Sequence, residues 1–223
     1  MSDVARRGPG RPPAAKSANT RGRILQTARE VFGEVGYDAA TFQEIAVRAD
    51  LTRPAVNHHF ASKRELYLQV AEQTNRTVIE AGVREARCHT SLDAQILAFV
   101  ATVQAAGSDP SVAAFLVASV LEAQRHPELA VDGRDVLAAS RDFLGGALRE
   151  ARRTGELCPD VDIETVTETM LAMLIGVGFY AGFCIGPNGD GRRLGAITEE
   201  LLRMVRSAGY LYPAPNGPRP VQM

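Results

Sequence analysis

Four residues within the stretch LTRPAVNHHF, Leu51 to Phe60, are spaced for hydrogen-bonded recognition rather than for making or breaking bonds. Read as a helix, the stretch puts Arg53 and Asn57 on one i, i+4 row, Pro54 and His58 on a second, and Thr52, Val56 and Phe60 on a third. Val56 and Phe60 then point into a core, and Arg53, Pro54, Asn57 and His58 form an outward face. Such a face suits the DNA major groove: arginine reads guanine O6 and N7, asparagine reads adenine N6 and N7, and a proline ring meets a thymine methyl. His59 falls on the row of Ala55 and is expected to be a packed or backbone-bonded structural histidine. Adjacent histidines with no carboxylate or cysteine at ligand spacing make a poor metal site, so no metal and no cofactor is expected. The chain carries no H-E-x-x-H, P-loop, dinucleotide glycine fingerprint or G-x-S-x-G, and no catalytic residue is assigned.

A reading helix needs a frame, and the apolar spacing supplies one. Helical periodicity runs throughout, with no sustained two-residue alternation, so the expected fold is all-α. Ile24, Leu25, Ala28, Val31, Phe32 and Val35 line the first helix, which Gly36 should end. A second helix runs from Thr41 to about Arg48, and Thr41 with Glu44 matches a capping box. After the break Ala49-Asp50-Leu51 comes the helix Thr52 to Phe60, with Thr52 as N-cap and Pro54 in the first turn, where a missing N–H costs little. Ser62 and Glu65 open a fourth helix reaching about Ala86, and further helices are expected near 91–106, 110–125, 128–153, 162–185 and 191–207. Two short helices joined by a tight turn behind a longer amphipathic one have the lengths of a helix-turn-helix unit.

Two further helix starts offer anion sites. Lys63 sits where free backbone N–H groups and the helix dipole favour a phosphate, Thr41 occupies the same position on the second helix, and Gln43 lies one turn further in, within reach of a base. Each is also explained by capping alone.

Charge is unevenly shared. Residues 1–70 hold 11 Lys+Arg against 7 Asp+Glu, and the remainder 14 against 19, which implies different partners for the two parts. Arg6, Arg7, Arg11, Lys16, Arg21 and Arg23 face only Asp3, and residues 1–20 read as a disordered basic arm suited to a polyanion or, blandly, as a solubilising tail. Gly10-Arg11-Pro12 resembles the core of an AT-hook, which lays an arginine in an A·T minor groove; a proline-rich linker is the alternative. No apolar stretch follows Met1, so a cytoplasmic protein is expected. Met170–Gly186 is apolar enough to raise a membrane span, but its length and four glycines favour a buried helix. Cys88, Cys158 and Cys184 suit no disulfide framework and are read as reduced thiols.

Residues 23–66 resemble the DNA-binding domain of the TetR family of bacterial transcriptional regulators, through Arg23-Ile24-Leu25, Ala28, Phe32, Gly36-Tyr37, Thr41, Ile45-Ala46, Ala49, Val56, His58, Phe60, Lys63 and Leu66. Asp50 stands where the family usually has glycine, and Asn57 where it usually has tyrosine; the first tolerates a left-handed turn, and the second puts a base-reading group at a positioning contact. The resemblance implies a domain at 21–68 that binds a double-stranded operator, with Thr41, Gln43, Thr52, Arg53, Pro54, Asn57, His58 and Lys63 as its contacts and, from the AT-hook likeness of the arm, Arg11 beside it. It implies a second domain at 69–210 for a small-molecule effector and for a homodimer, followed by a loose tail at 211–223.

The dimer face is expected on the last two helices, at Gly178, Gly182, Leu194, Ile197, Leu201 and Val205, and an effector pocket is expected among Phe99, Phe115, Phe143, Met170, Met173, Phe179, Tyr180 and Phe183. Few polar groups accompany them, so the effector should be hydrophobic or amphipathic. The leading reading is a repressor released from its operator by that effector. An architectural DNA-binding protein that senses no ligand is the alternative, separable by a salt dependence shared by all sequences. A redox or metal sensor built on Cys88 and His89 is a third.

Overall fold

The computed structural model describes residues 13–107, 109–129, 136–184 and 191–207, and no strand occurs among them. The helices are α1 (Pro13–Ala39), α2 (Phe42–Arg48), α3 (Arg53–His59), α4 (Lys63–Ala86), α5 (Leu92–Ala106), α6 (Pro110–Arg125), α7 (Val136–Thr154), α8 (Ile163–Phe179) and α9 (Gly191–Ser207), with a 3-10 turn at Pro127–Leu129 and a π turn at Tyr180–Cys184. Gly36 breaks α1 with φ +78°, as its place at the end of the apolar stripe requires.

Helices α1 to α3 and the start of α4 form a reading head. Ile24, Ala28, Val31, Phe32, Ile45, Ala46, Val56, Phe60, Leu66 and Val70 are 1% exposed or less. Helices α2 and α3 have seven residues each, too few to persist alone in water. At about 1.5–3 kcal/mol for each large apolar side chain buried, this shared core outweighs their nucleation cost. Val35, expected in the core stripe, is 42% exposed because α1 turns aside at the next residue.

The second layer packs α4, α5, α7 and α8 around Phe99, Leu144, Leu148 and Leu157. Helix α6 stands between the two cores. Its Phe115, 1% exposed, belongs to the head cluster and meets Tyr67 at 5.6 Å between ring centroids, while Val112 belongs to the second core. The contacts Arg29–Asp109, Gly33–Phe115 and Tyr37–Glu122 advance together along both helices, so α1 and α6 run in the same direction.

Three expectations change. Helix α1 begins at Pro13, so residues 13–20 are helical rather than part of a loose arm: Pro13 occupies a first-turn position, and Ala14, Ala15, Lys16 and Ala18 favour helix. The helix expected over 128–153 begins at Val136, because Pro127–Leu129 closes as a 3-10 turn that buries Leu129 in the head. The apolar stretch expected to be a buried core helix is covered over only 28% of its most apolar window; Ile163–Cys184 is long and apolar enough to cross a membrane, with mean hydropathy 1.4.

Gly182 and Gly146 differ sharply. A Cβ on Gly182 would lie 2.6 Å from the Ala114 backbone nitrogen, whereas one on Gly146 would meet nothing within 4 Å. Gly182→Ala should therefore destabilise the protein by ~1–3 kcal/mol through overpacking. Gly146→Ala, inside α7, should stabilise it by ~0.5–1 kcal/mol. Urea midpoints of the two variants check both signs.

Candidate nucleic-acid interface

Local chemistry shapes the turn between α2 and α3. Thr41 Oγ1 accepts the Glu44 N–H at 3.1 Å and Thr52 Oγ1 the Ala55 N–H at 3.3 Å, so each hydroxyl satisfies one free donor of its helix start. Pro54 lies in the first turn of α3. Asp50 adopts φ +50°, the left-handed conformation its short polar side chain tolerates, and Leu51 N–H returns to the Ala46 carbonyl at 2.9 Å. Arg48 ties α2 to Glu34 of α1 at 2.6 Å and to Glu44 at 2.8 Å.

With Val56 and Phe60 fully buried, α3 presents Thr52, Arg53, Pro54, Asn57 and His58 to solvent. Gln43 on α2 is exposed as well. Within the described chain none of Gln43, Arg53, Asn57 and His58 spends a hydrogen bond on another residue, so their donors and acceptors are available to a partner. His59 is half-buried and packs edge-on to His58 at 5.4 Å; burial, then the nearby His58 and Arg21 charges, push its pKa down. It packs as expected of it, with a ring neighbour in place of a backbone bond.

Lys63 departs from expectation. Its Nζ donates to the carbonyls of Tyr37 and Asp38 at 2.8 and 3.0 Å and lies 4.5 Å from the centre of the Tyr37 ring. Instead of facing an open phosphate site, it fastens α4 to the end of α1. Arg21 and Arg23, read as part of a polyanion-binding arm, also hold the frame: Arg21 lies 5.1 Å over Phe60 and donates to Gln69, and Arg23 donates to the Asp50 carbonyl at 3.3 Å. Arg11 lies outside the described residues.

Sequence spacing did not reveal how firmly the head is joined to α6. At the start of α6, Arg29 pairs with Asp109 at 2.7 Å and donates to Ser111 at 3.2 Å. At its end, the buried Glu122 accepts the Tyr37 N–H at 3.1 Å, and His126 meets Asp38 at 3.1 Å. Exposed ion pairs contribute roughly 0–1 kcal/mol. Burial of an aromatic such as Phe115 contributes more, about 1.5–3 kcal/mol, so Phe115 holds the joint and the polar groups set its register.

The other face of α6 lines a cavity of about 90 Å³ through Ala113, Leu116, Val117 and Val120, and a second of about 50 Å³ shares Val100, Leu174, Val177 and Thr198 with it. Of the expected lining, Phe99 borders the first cavity, and Met170 and Met173 border the second. The rest lie elsewhere: Phe115 fills the head core, Phe143 stacks behind Phe99 at 4.8 Å, Tyr180 packs beside Ala113, Ala181 and Leu194, and Phe179 and Phe183 are 51% and 47% exposed. Aromatic residues stood out in the sequence, but valines and leucines of five helices do most of the enclosing.

The expected dimer residues are also redistributed. Gly178 lies where a Cβ would sit 3.3 Å from Val117, and Gly182 abuts the Ala114 backbone, so these glycines admit α6 of the same chain rather than a second copy. Leu194 is buried, and Leu201 borders the second cavity. Ile197 is half-buried, and the side chain of Val205 lies outside the described set. Among the described residues of this region, Phe179, Phe183 and Met204 are about half exposed.

Comparison with known proteins agrees with this architecture. Residues 24–70 match the family of bacterial regulatory proteins, tetR family, and residues 87–177 match the tetracyclin repressor-like C-terminal domain. The chain is 25% identical over 158 residues to the HTH-type transcriptional regulator UidR of Escherichia coli strain K12, covering 71% of this chain and 79% of that one. It is 27% identical over 160 residues to the HTH-type transcriptional repressor AcnR of Corynebacterium jeikeium, covering 72% and 80%. A TetR transcriptional regulator from Chloroflexus aurantiacus shares the fold at a TM-score of 0.71 and 20% identity, over 89% of this chain and all of that one. A head matched to one half of this architecture, continued through α4 into a body matched to the other, makes the chain a member of the TetR family of helix-turn-helix transcriptional regulators.

Proposed function

We propose that the protein is a dimeric repressor that reads its operator with α3 and leaves it when a hydrophobic or amphipathic small molecule occupies the cavity behind α6. The observation that carries the reading is the exposed face of Arg53, Asn57 and His58, with Pro54, whose side chains make no internal hydrogen bond, on a helix braced by fully buried Val56 and Phe60. In this reading Arg53 and Asn57 contact base edges, Pro54 a thymine methyl, His58 a base or phosphate, and Gln43 a base beside them. Thr41 and Thr52 support phosphate contacts at their helix starts. The DNA-binding unit spans 21–68 and the regulatory unit 69–210, with the division inside α4.

A second copy covers the apolar side of α8 and the π turn that follows it. Phe179, Phe183 and Met204 are about half exposed in one chain, and a symmetric partner would bury them. Two heads then meet half-sites ~34–36 Å apart. The named repressor AcnR supports repression as the sense of control.

The cavity supports an uncharged effector. Among the described residues no charged side chain lines it, and the hydroxyls of Ser140 and Thr198 are donated to the Val136 and Leu194 carbonyls of their own helices. Gln104 is the one side-chain amide among the described lining residues, and no other described residue takes its hydrogen bonds. Release works by differential affinity: a ligand that favours a dimer shape with mismatched heads lowers operator affinity by the same factor by which operator lowers its own.

Binding of the purified protein to the DNA flanking its own gene, beside a scrambled duplex, tests the central reading; a preference of ~10³-fold or more is expected at a two-fold-related site. Equal affinity for both duplexes across a salt series would instead favour an architectural protein. At that site Arg53→Ala should cost ~1–3 kcal/mol at one base pair and leave nonspecific binding unchanged, measured on duplexes substituted one pair at a time. Sedimentation should show a dimer, and Phe179→Glu with Phe183→Glu should yield a folded monomer that has lost the preference.

A further inference from the structure

The end of α6 holds a cluster that operator reading, dimerisation and ligand capture leave unused. Glu122 is 5% exposed; its Oε1 accepts the Tyr37 N–H, while its Oε2 is buried without a hydrogen-bond partner. One turn further on, His126 turns both ring nitrogens toward carboxylates. Nε2 lies 3.1 Å from Asp38 Oδ2 and 3.7 Å from the unpartnered Glu122 Oε2, and Nδ1 lies 3.2 Å from Glu128 Oε1. A neutral imidazole has one N–H, so in either tautomer one nitrogen would set a lone pair against a carboxylate oxygen. Only the imidazolium donates on both sides. The geometry is that of a protonated histidine.

We propose that His126 is a positioning residue for the reading head, and that a proton on its ring completes the joint between α6 and the end of α1. Three carboxylates face the ring, and each favours its charged form. Asp38 comes from the end of α1, Glu122 from α6 and Glu128 from the 3-10 turn, with the Tyr37 ring edge-on at 5.2 Å. The cations that α4 contributes keep their charge but donate to backbone oxygens rather than to these carboxylates: Lys63 to Tyr37 and Asp38, and Arg64 to the Glu128 carbonyl at 2.7 Å. Deprotonation therefore leaves three carboxylates around a neutral ring. Asp38 is the one carried by the head and is also the most exposed, so it is the one that leaves.

Partial burial of His126 opposes its charge, but the hydrogen bonds and charges of Asp38 and Glu128 outweigh this and hold its pKa above the ordinary histidine value. The sign follows from the raised value. The joint is complete below the ordinary histidine range and is lost as pH rises through the raised pKa.

The amide of Tyr37 reports the joint because it donates to Glu122. In the full-length protein, NMR should follow the His126 ring titration alongside hydrogen-exchange protection of Tyr37, corrected for the intrinsic pH dependence of exchange. Protection should fall by up to ~tenfold for each unit by which docking raises the pKa, with its midpoint on the ring titration. His126→Gln keeps one donor and removes the titration, and Asp38→Asn removes the head's carboxylate at an exposed site; both should flatten the profile. Specific DNA affinity should show the same flattening in His126→Gln but not in His89→Gln, an exposed position past the body end of α4 and outside the DNA-reading face. Tyr37 protection that stays constant across the His126 titration, or that keeps the wild-type slope in either joint variant, would overturn the proposal. Because the exchange measurement needs neither DNA nor effector, its outcome is independent of the repressor reading.

Discussion

The packing of α1 on α6 is the contact on which the rest of the structure depends. Head and body have separate apolar cores, and Phe115 is the large side chain that α6 contributes to the head while its neighbour Val112 serves the body. Close approach at Gly33, where a Cβ would stand 3.1 Å from the Phe115 nitrogen, lets the two helices run together from Arg29–Asp109 to Tyr37–Glu122. The hydrophobic contact gives the interface its strength and the polar contacts at either end give it one register. A slip along the helices would leave the carboxylate of Glu122 buried with no partner at all, an outcome that costs several kilocalories per mole.

Around this contact, the polar residues of the head divide into those that hold the frame and those left for a partner. Arg21, Arg23, Arg48 and Lys63 are all committed to backbone, aromatic or carboxylate groups of the head itself. On α3 and the start of α2, the exposed side chains of Gln43, Arg53, Asn57 and His58 make no internal hydrogen bond. Preorganisation follows: a helix whose inner face is fully buried and whose start is capped loses little freedom when its outer face is engaged.

Much of this was legible in the sequence, for identifiable reasons. Caps and breaks are local, so Thr41, Thr52, Ser62, Gly36 and the left-handed Asp50 lie as their residue types require. The core positions Val56 and Phe60 followed from a three-and-four spacing that short amphipathic helices obey. What escaped is long-range. Lys63 and Arg21 looked like free cations because the oxygens and rings they meet lie 20 or more residues away. Gly178 and Gly182 are small for the sake of a neighbour, but spacing cannot say whether that neighbour is α6 of the same chain or a second copy. The cavity has no sequence signature because it is enclosed by many modest aliphatic side chains of six helices, with Phe99 its one aromatic among the described lining residues. The pairing of Tyr37 with Glu122 spans 85 positions and has no sequence signal that a single chain displays.

Helix α4 carries one further consequence. It runs unbroken for 24 residues from the reading head into the body, about 36 Å at 1.5 Å per residue, with no glycine or proline before Gly82 to soften it. The two halves are thus joined by a rigid rod rather than by a linker. A rod acts as a lever arm: a tilt of about 5° at the body end displaces the other end by about 3 Å, close to the rise of one base pair. Small rearrangements among the aliphatic side chains beside Ile79 are thereby magnified at the far end.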